Sequence, residues 1–274
     1  MQTRRGALRY GAGLLAIGGV GTLAARTEDR PTPADVLVAG SLQSAAARVG
    51  EAEVEAHGSV ACRRLVVDGL RDPDAVVLAD PRLFDGIADR ATYFATNALV
   101  LAVDDATAEA YDDWRRLLAD PELALGRTDP ERDPLGYRTV MALRLAAGVD
   151  ADAVLDRTDL FPETGLLRTL EAGGLNAAFA YRNMAVEHDL PYLELPDGID
   201  FSEPTLADEY ATASAEVAGR TIEGSPIRYA AAGLTERGDR WVGQFVEAEE
   251  TLRTAGFGVP ASYPERDAVG DPGS

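Results

Sequence analysis

Val36-Leu37-Val38-Ala39-Gly40-Ser41-Leu42 reads as a short apolar strand that runs through a Gly-Ser turn into a helix predicted over 42–49. Four consecutive apolar residues with no polar alternation suit a strand covered on both faces. The same unit returns at once. Residues 54–57 predict a second strand, and Gly58-Ser59 turns into a helix over 60–69. Residues 75–79 predict a third strand, after which Pro81 opens another helix. Strand, turn and helix in repeated succession predict an α/β fold with mostly parallel sheets.

Working outward, 92–103 is a long extended run, read either as two strands or as one that passes between lobes. After Asp104 the alternation starts afresh. It predicts a helix over 107–118, a short strand near 123–125, a helix opening at Asp133, and another helix over 164–172. A strand over 177–181, a helical turn near Asn183 and a strand over 192–195 follow. Residues 225–234 are extended again. The span 237–254 predicts one amphipathic helix whose stripe of Trp241, Val242, Phe245, Ala248 and Leu252 faces the core. Two such series joined by two extended crossovers predict two α/β lobes with a ligand cleft between them. Residues 34–104 with 225–264 form lobe 1, 105–224 form lobe 2, and 265–274 are expected to be a disordered tail.

Against 46 Asp and Glu stand 26 basic residues, all of them arginine, for a net charge of −20. An acidic, lysine-free, alanine-rich surface stays hydrated at molar salt, where a Debye length of ~3 Å screens self-repulsion. A halophilic protein is the expectation, and a generic acidic protein the alternative. Nucleic acid calls for a basic footprint and is excluded as a partner. The 274 residues, 46% of them hydrophobic, support a substantial core. Cys62 is the only cysteine, so there is no disulfide framework and no cysteine-based metal site. It is expected to pack as a small hydrophobe.

Residues 1–33 are read as a twin-arginine export signal and linker. Arg4-Arg5 precede an uncharged run from Tyr10 to Ala25 that is marginal as a membrane span. The chain is therefore expected at the extracellular face, either released or held by an uncleaved N-terminal segment.

The second half holds its own turn into a helix, Gly126-Arg127-Thr128-Asp129-Pro130-Glu131-Arg132-Asp133-Pro134-Leu135-Gly136-Tyr137-Arg138. Asp133 takes the N-cap and Pro134 the first helical position. A helix start presents unpaired N–H groups and a positive dipole end, a ready anion site. With Gly40-Ser41 and Gly58-Ser59 there are three such turns, which suggests an oxyanion receptor. Ser41 and Ser59 can equally be plain N-caps, and capping alone accounts for Asp133.

These segments resemble the molybdate/tungstate-binding proteins of ABC importers, particularly the archaeal type. Those carrying the resemblance are Gly40-Ser41-Leu42, Gly58-Ser59-Val60-Ala61-Cys62-Arg63-Arg64, Tyr93-Phe94-Ala95-Thr96-Asn97 and Asp133-Pro134-Leu135-Gly136-Tyr137-Arg138. Ala178-Phe179-Ala180-Tyr181, Leu193-Glu194-Leu195-Pro196 and Gly224-Ser225-Pro226-Ile227-Arg228-Tyr229 continue it, so that nearly all of 35–264 is covered. The resemblance implies a type II periplasmic-binding-protein fold whose lobes close on the anion, with an ABC permease as partner, no cofactor, and a monomeric chain. Carried over by position, Ser41 and Ser59 donate from lobe 1. Asp133 and the turn at Gly136 face the anion from lobe 2, with Tyr181 nearby. The resemblance also makes Asp133 a candidate ligand of the Mo or W centre itself. The family's second carboxylate falls within 179–183, where this chain has Ala180 and Arg182. Arg182 could pair with Asp133, contact the anion or lie in solvent, and Arg138 is expected to brace the Asp133 loop.

Catalysis is the rival class. The only histidines are His57 and His188, no Gly-x-Ser-x-Gly elbow exists, and these residues do not build an ordinary zinc site. The expectation is a non-enzyme that captures molybdate or tungstate. The alternatives are the same fold with sulfate, thiosulfate or phosphate, and, further off, a hydrolase or a membrane-tethered anion sensor.

Overall fold

The computed structural model describes residues 32–268. The export signal read over residues 1–33 therefore lies almost entirely outside the described residues. The strands are β1 (Ala34–Ala39), β2 (Ala52–His57), β3 (Ala75–Leu78), β4 (Arg90–Thr96), β5 (Leu99–Val103), β6 (Leu125–Thr128) and β7 (Thr158–Phe161). They continue with β8 (Ala177–Tyr181), β9 (Tyr192–Glu194), β10 (Ser214–Val217), β11 (Arg220–Glu223), β12 (Arg228–Gly233) and β13 (Glu265–Ala268). One six-stranded sheet has the order β13-β4-β12-β3-β1-β2; a five-stranded sheet has β7-β6-β8-β5-β9. β10 and β11 form a separate hairpin.

Each sheet is built around the strand–turn–helix units visible in the sequence. β1 pairs parallel with β2 and β3, and β6 pairs parallel with β7 and β8. β3, β5 and β8 are buried at every position, as their unbroken apolar runs require.

The sheets are mixed rather than mostly parallel. β12 runs antiparallel to β3 and β4, and β5 antiparallel to β8 and β9. Parallel pairing follows from a helical return within one sheet. β5 arrives instead from the other sheet and β12 from the β10–β11 hairpin, so that constraint does not act on them. The extended run at 92–103 is two strands, and the chain changes sheet at Asn97-Ala98.

Two predicted helices are broken. That over 107–118 becomes Asp105–Ala110 and Trp114–Ala119, because Asp113 caps the second by accepting from the Arg116 N–H at 2.9 Å. That over 237–254 becomes Glu236–Val246 and Glu249–Thr254, parting at Ala248. Its stripe still faces inward. Trp241 stacks on Phe245 and donates its indole N–H to the Val49 carbonyl at 2.9 Å.

The region after Pro264, expected to be disordered, also departs from expectation: Glu265–Ala268 adds to the sheet edge along β4. Its four side chains are all exposed, so backbone pairing and the Arg90 guanidinium, which donates to the Arg266 carbonyl at 3.1 Å, hold it, and no hydrophobic pattern announces it. Cys62 is fully buried as expected, and burial pushes its thiol pKa far up.

Candidate functional site

The carboxyl ends of β1, β2 and β3 lie side by side, each running into a turn. At the first, the Gly40 and Ser41 N–H groups donate to the two carboxylate oxygens of Glu163, at 3.0 and 3.1 Å. Glu163 opens the Glu163–Glu171 helix against the second sheet and is itself buried. The turn thus already holds a pair of carboxyl oxygens, supplied by the opposite lobe. Ser41 Oγ meets the Tyr229 hydroxyl at 3.2 Å, and its carbonyl accepts from Asn183 Nδ2 at 2.6 Å. At the second turn Ser59 Oγ accepts from the Ala79 N–H at 3.0 Å. Ser59 begins a nine-residue helix with no side-chain cap.

Across the seam the Pro134–Leu145 helix starts where the sequence places it. Asp133 Oδ1 accepts from the Gly136 N–H at 3.0 Å and from Thr128 Oγ1 at 2.8 Å. The Gly136 N–H is therefore spent on the cap and does not point at an outside anion. Gly136 is glycine because a Cβ there would lie 2.6 Å from the backbone of Asp129 and Pro130. Gly58 is in the same position toward this loop: its Cβ would lie 2.6 Å from Asp133 Cβ. The Ser59 turn and Asp133 are thus pressed together. Burial raises the Asp133 pKa against the pull of its two hydrogen bonds. Burial also raises that of Glu163, and the charge of Asp133 adds to it.

Arg138 does not brace the Asp133 loop. Its Nη1 donates to the Ala79 carbonyl at 2.9 Å and to the Tyr181 hydroxyl at 2.8 Å, bridging β3 to β8. Nη2 lies 3.6 Å from Asp80, and neither Nη2 nor Nε has a hydrogen-bond partner among the described residues. The side chain is 1% exposed. Asp80 also takes the Tyr137 hydroxyl at 2.7 Å and the Arg82 guanidinium at 2.7 and 3.1 Å. Burial alone would raise its pKa. The charges of Arg82 and Arg138 and the Tyr137 hydroxyl outweigh that and hold it well below the usual carboxylate range.

Contacts therefore run around the seam from Ser59 through Ala79, Arg138, Tyr181, Tyr229 and Ser41 to Glu163. The Tyr181 and Tyr229 rings meet edge to face at 6.1 Å. Of the five residues singled out from sequence, Ser41, Ser59, Asp133 and Tyr181 converge here, while Gly136 supports Asp133. Asp80, Arg138, Glu163, Tyr229 and the Asn97–Asn183 pair, bonded at 2.7 Å, were not singled out for the site. Asp80 had a signal, since it ends the third strand as Gly40 and Gly58 end the first two. Glu163 had none, looking like any acidic residue in a first helical turn. Arg182 does not reach Asp133; its charge is felt by Asp200. His57 bonds to Glu55 at 2.8 Å and His188 to Glu171 at 2.7 Å. Among the described residues no group of three His, Cys, Asp or Glu could hold a metal ion, and no helix is long and apolar enough to cross a membrane.

The chain is 46% identical, over 92% of its own length and 92% of the relative's, to a Haloferax volcanii protein provisionally named an ABC transporter molybdenum-binding protein. It is 38% identical to an uncharacterized solute-binding protein of Halobacterium salinarum, covering 77% and 75% of the two chains. The molybdate/tungstate-binding protein of Thermococcus kodakarensis is 30% identical, covering 68% and 64%. Among solved structures, the periplasmic molybdate-binding protein of Azotobacter vinelandii aligns with a TM-score of 0.60 at 14% identity, over 83% of this chain and 99% of that one. The sulfate-binding protein of Mycobacterium tuberculosis aligns with a TM-score of 0.57 at 14% identity, over 82% and 86%. At such identities the likeness is one of fold, the type II periplasmic-binding-protein fold. Residues 16–248 match the bacterial extracellular solute-binding proteins, and it is to that family that the chain belongs.

Proposed function

We propose that this solute-binding protein captures molybdate or tungstate outside the cell and delivers it to the permease of an ABC importer, without catalysis. The observation that carries the reading is Arg138, a fully buried guanidinium at the lobe seam, two of whose nitrogens make no hydrogen bond among the described residues. A buried charge with free donors asks for an anionic oxygen. The seam surrounds it with Ser59 at a helix start, the Tyr181 hydroxyl, Ser41 and Asp133. Glu163 supports the reading from the other side, since the β1 turn already accepts carboxylate oxygens there. An oxyanion that uses the same N–H pair displaces Glu163 from it.

The relatives named for molybdenum, molybdate or tungstate support molybdate or tungstate as the anion. Size is the physical discriminator. A cradle set for the larger molybdate or tungstate leaves sulfate with long, poor hydrogen bonds. Sulfate or phosphate remains the second reading, because Ala180 stands where the resemblance expects a carboxylate.

Calorimetric titration of the chain in molar KCl with tungstate, molybdate, sulfate and phosphate tests this. Binding of the first two alone is expected, and Asp133→Ala is expected to weaken it. Preference for sulfate or phosphate would reassign the ligand, and silence with all four would overturn the oxyanion reading.

A further inference from the structure

A cavity of about 520 Å³ opens beside the seam, and both lobes line it. From the first come Val60, Arg63 and Arg64 on the Ser59–Val67 helix, and Arg82 beyond β3. From the second come Tyr137 and the β10–β11 hairpin with Arg220. The hairpin is tied to the second lobe, where Ala218 donates its N–H to Glu131 at 2.9 Å and Arg144 reaches the Ser214 carbonyl at 2.6 Å.

Four arginines thus meet three acidic residues, Asp80, Asp85 and Glu223, in the lining of one cavity, on a chain whose net charge is −20. Their partners are unequal. Arg82 is engaged by Asp80 and by the Glu223 carbonyl at 2.8 Å. Arg63 Nε donates to the Asp85 carbonyl at 3.2 Å, while Arg63 Nη2 and Arg220 Nη1 lie 3.9 and 4.0 Å from one carboxylate oxygen of Asp85, and Arg64 stands 3.7 Å from Glu131. Those ion-pair separations exceed hydrogen-bond length, so three guanidinium forks keep donor capacity facing the cavity. The floor is the Tyr137–Asp80 hydrogen bond, and Arg138 lies directly behind it, 3.6 Å from Asp80. That bond joins the two lobes, so it parts when they part.

We propose that this cavity is an outer anion site, where a hydrated oxyanion is held by Arg63, Arg64 and Arg220 before it passes the Tyr137–Asp80 pair to the inner seam. The inference rests on the oxyanion reading above. The cavity is far larger than one tetrahedral oxyanion and admits it with its water. Guanidinium suits such a station because it binds oxyanions in forked pairs yet is weakly hydrated itself. At low ionic strength the surrounding acidic surface repels a dianion, and there this patch gives it a local route inward.

Stopped-flow fluorescence with tungstate tests the proposal on the wild type, on Arg64→Ala/Arg220→Ala, and on Arg115→Ala as a control outside the cavity, across a KCl series. Arg64 and Arg220 are exposed, with side-chain accessibilities of 46% and 71%, so their loss leaves the fold intact. The double variant is expected to associate roughly five- to tenfold more slowly, with dissociation unchanged and the deficit shrinking toward molar salt. Association at the wild-type rate would overturn the outer site and leave the inner one standing. A deficit equal to that of Arg115→Ala would overturn it too, as a generic charge effect. A wild type that binds no oxyanion would overturn the parent reading and this one together.

Discussion

At the scale of one residue, Arg138 carries the most. Its guanidinium joins the Ala79 carbonyl of one lobe to the Tyr181 hydroxyl of the other, and two of its nitrogens are left for a ligand. Arg138→Met removes a buried cation from among Asp80, Tyr181 and Ala79, and is expected to cost on the order of 3 kcal/mol in a thermal or denaturant melt. Arg138→Lys keeps the charge but loses the fork, and a lysine cannot serve two acceptors and an anion in one plane. It is expected to fold while binding tungstate roughly tenfold more weakly. A methionine variant that melts and binds like the wild type would remove Arg138 from the site. The residue was visible in the sequence as the end of the Asp-Pro-Leu-Gly-Tyr-Arg element. Its partner was not, because a side chain this long chooses acceptors by what faces it across the seam rather than by what lies near it in the chain.

At the scale of the element, the Pro134–Leu145 helix is the rigid piece. Residues Pro134 through Leu143 are all buried, so it lacks a solvent face over most of its length. Its first turn is docked through Gly136, where any Cβ would strike the backbone of Asp129 and Pro130. Gly136→Ala is expected to destabilise by about 2 kcal/mol or more, since backbone rather than a flexible side chain must yield. Gly165, inside the Glu163–Glu171 helix, has nothing within 4 Å of its would-be Cβ. Gly165→Ala is therefore expected to stabilise by about 0.5–1 kcal/mol. Urea melts of the two variants should move in opposite directions; a shared direction would refute the packing argument. Strands such as β3, β5 and β8 were legible from apolar runs alone. The helix break at Asp113 was not, because an aspartate inside a helical pattern reads as surface until its cap is seen. β10 and β11 were missed for a similar reason, being a small hairpin with a mostly polar, exposed second strand.

At the scale of the whole molecule, the two-sheet plan was legible because the crossover at 92–103 is long, apolar and extended. What meets across the seam was not, since that depends on how two bodies come together and not on local propensity. The Tyr137–Asp80 bond is one such meeting, and it is charge-assisted and buried. Tyr137→Phe leaves each lobe's core intact but removes one tie of the closed arrangement, a loss of about 1.5–3 kcal/mol from closure. By small-angle scattering the ligand-free variant is expected to be more expanded than the wild type, and the two to coincide under saturating tungstate. Equal profiles without ligand would show that closure does not depend on this bond.

The strand Glu265–Ala268 has a consequence beyond the cleft. It occupies the outer side of β4, whose Arg90-Ala91-Thr92-Tyr93 stretch would otherwise offer a row of bare amides and carbonyls to any neighbouring molecule. The opposite border, β2, is guarded by Glu53 and Glu55 set along it. The added strand is now the border on its side; it is short and bears exposed Glu265, Arg266 and Asp267, so a charged strand stands against templated self-assembly at each end of the sheet.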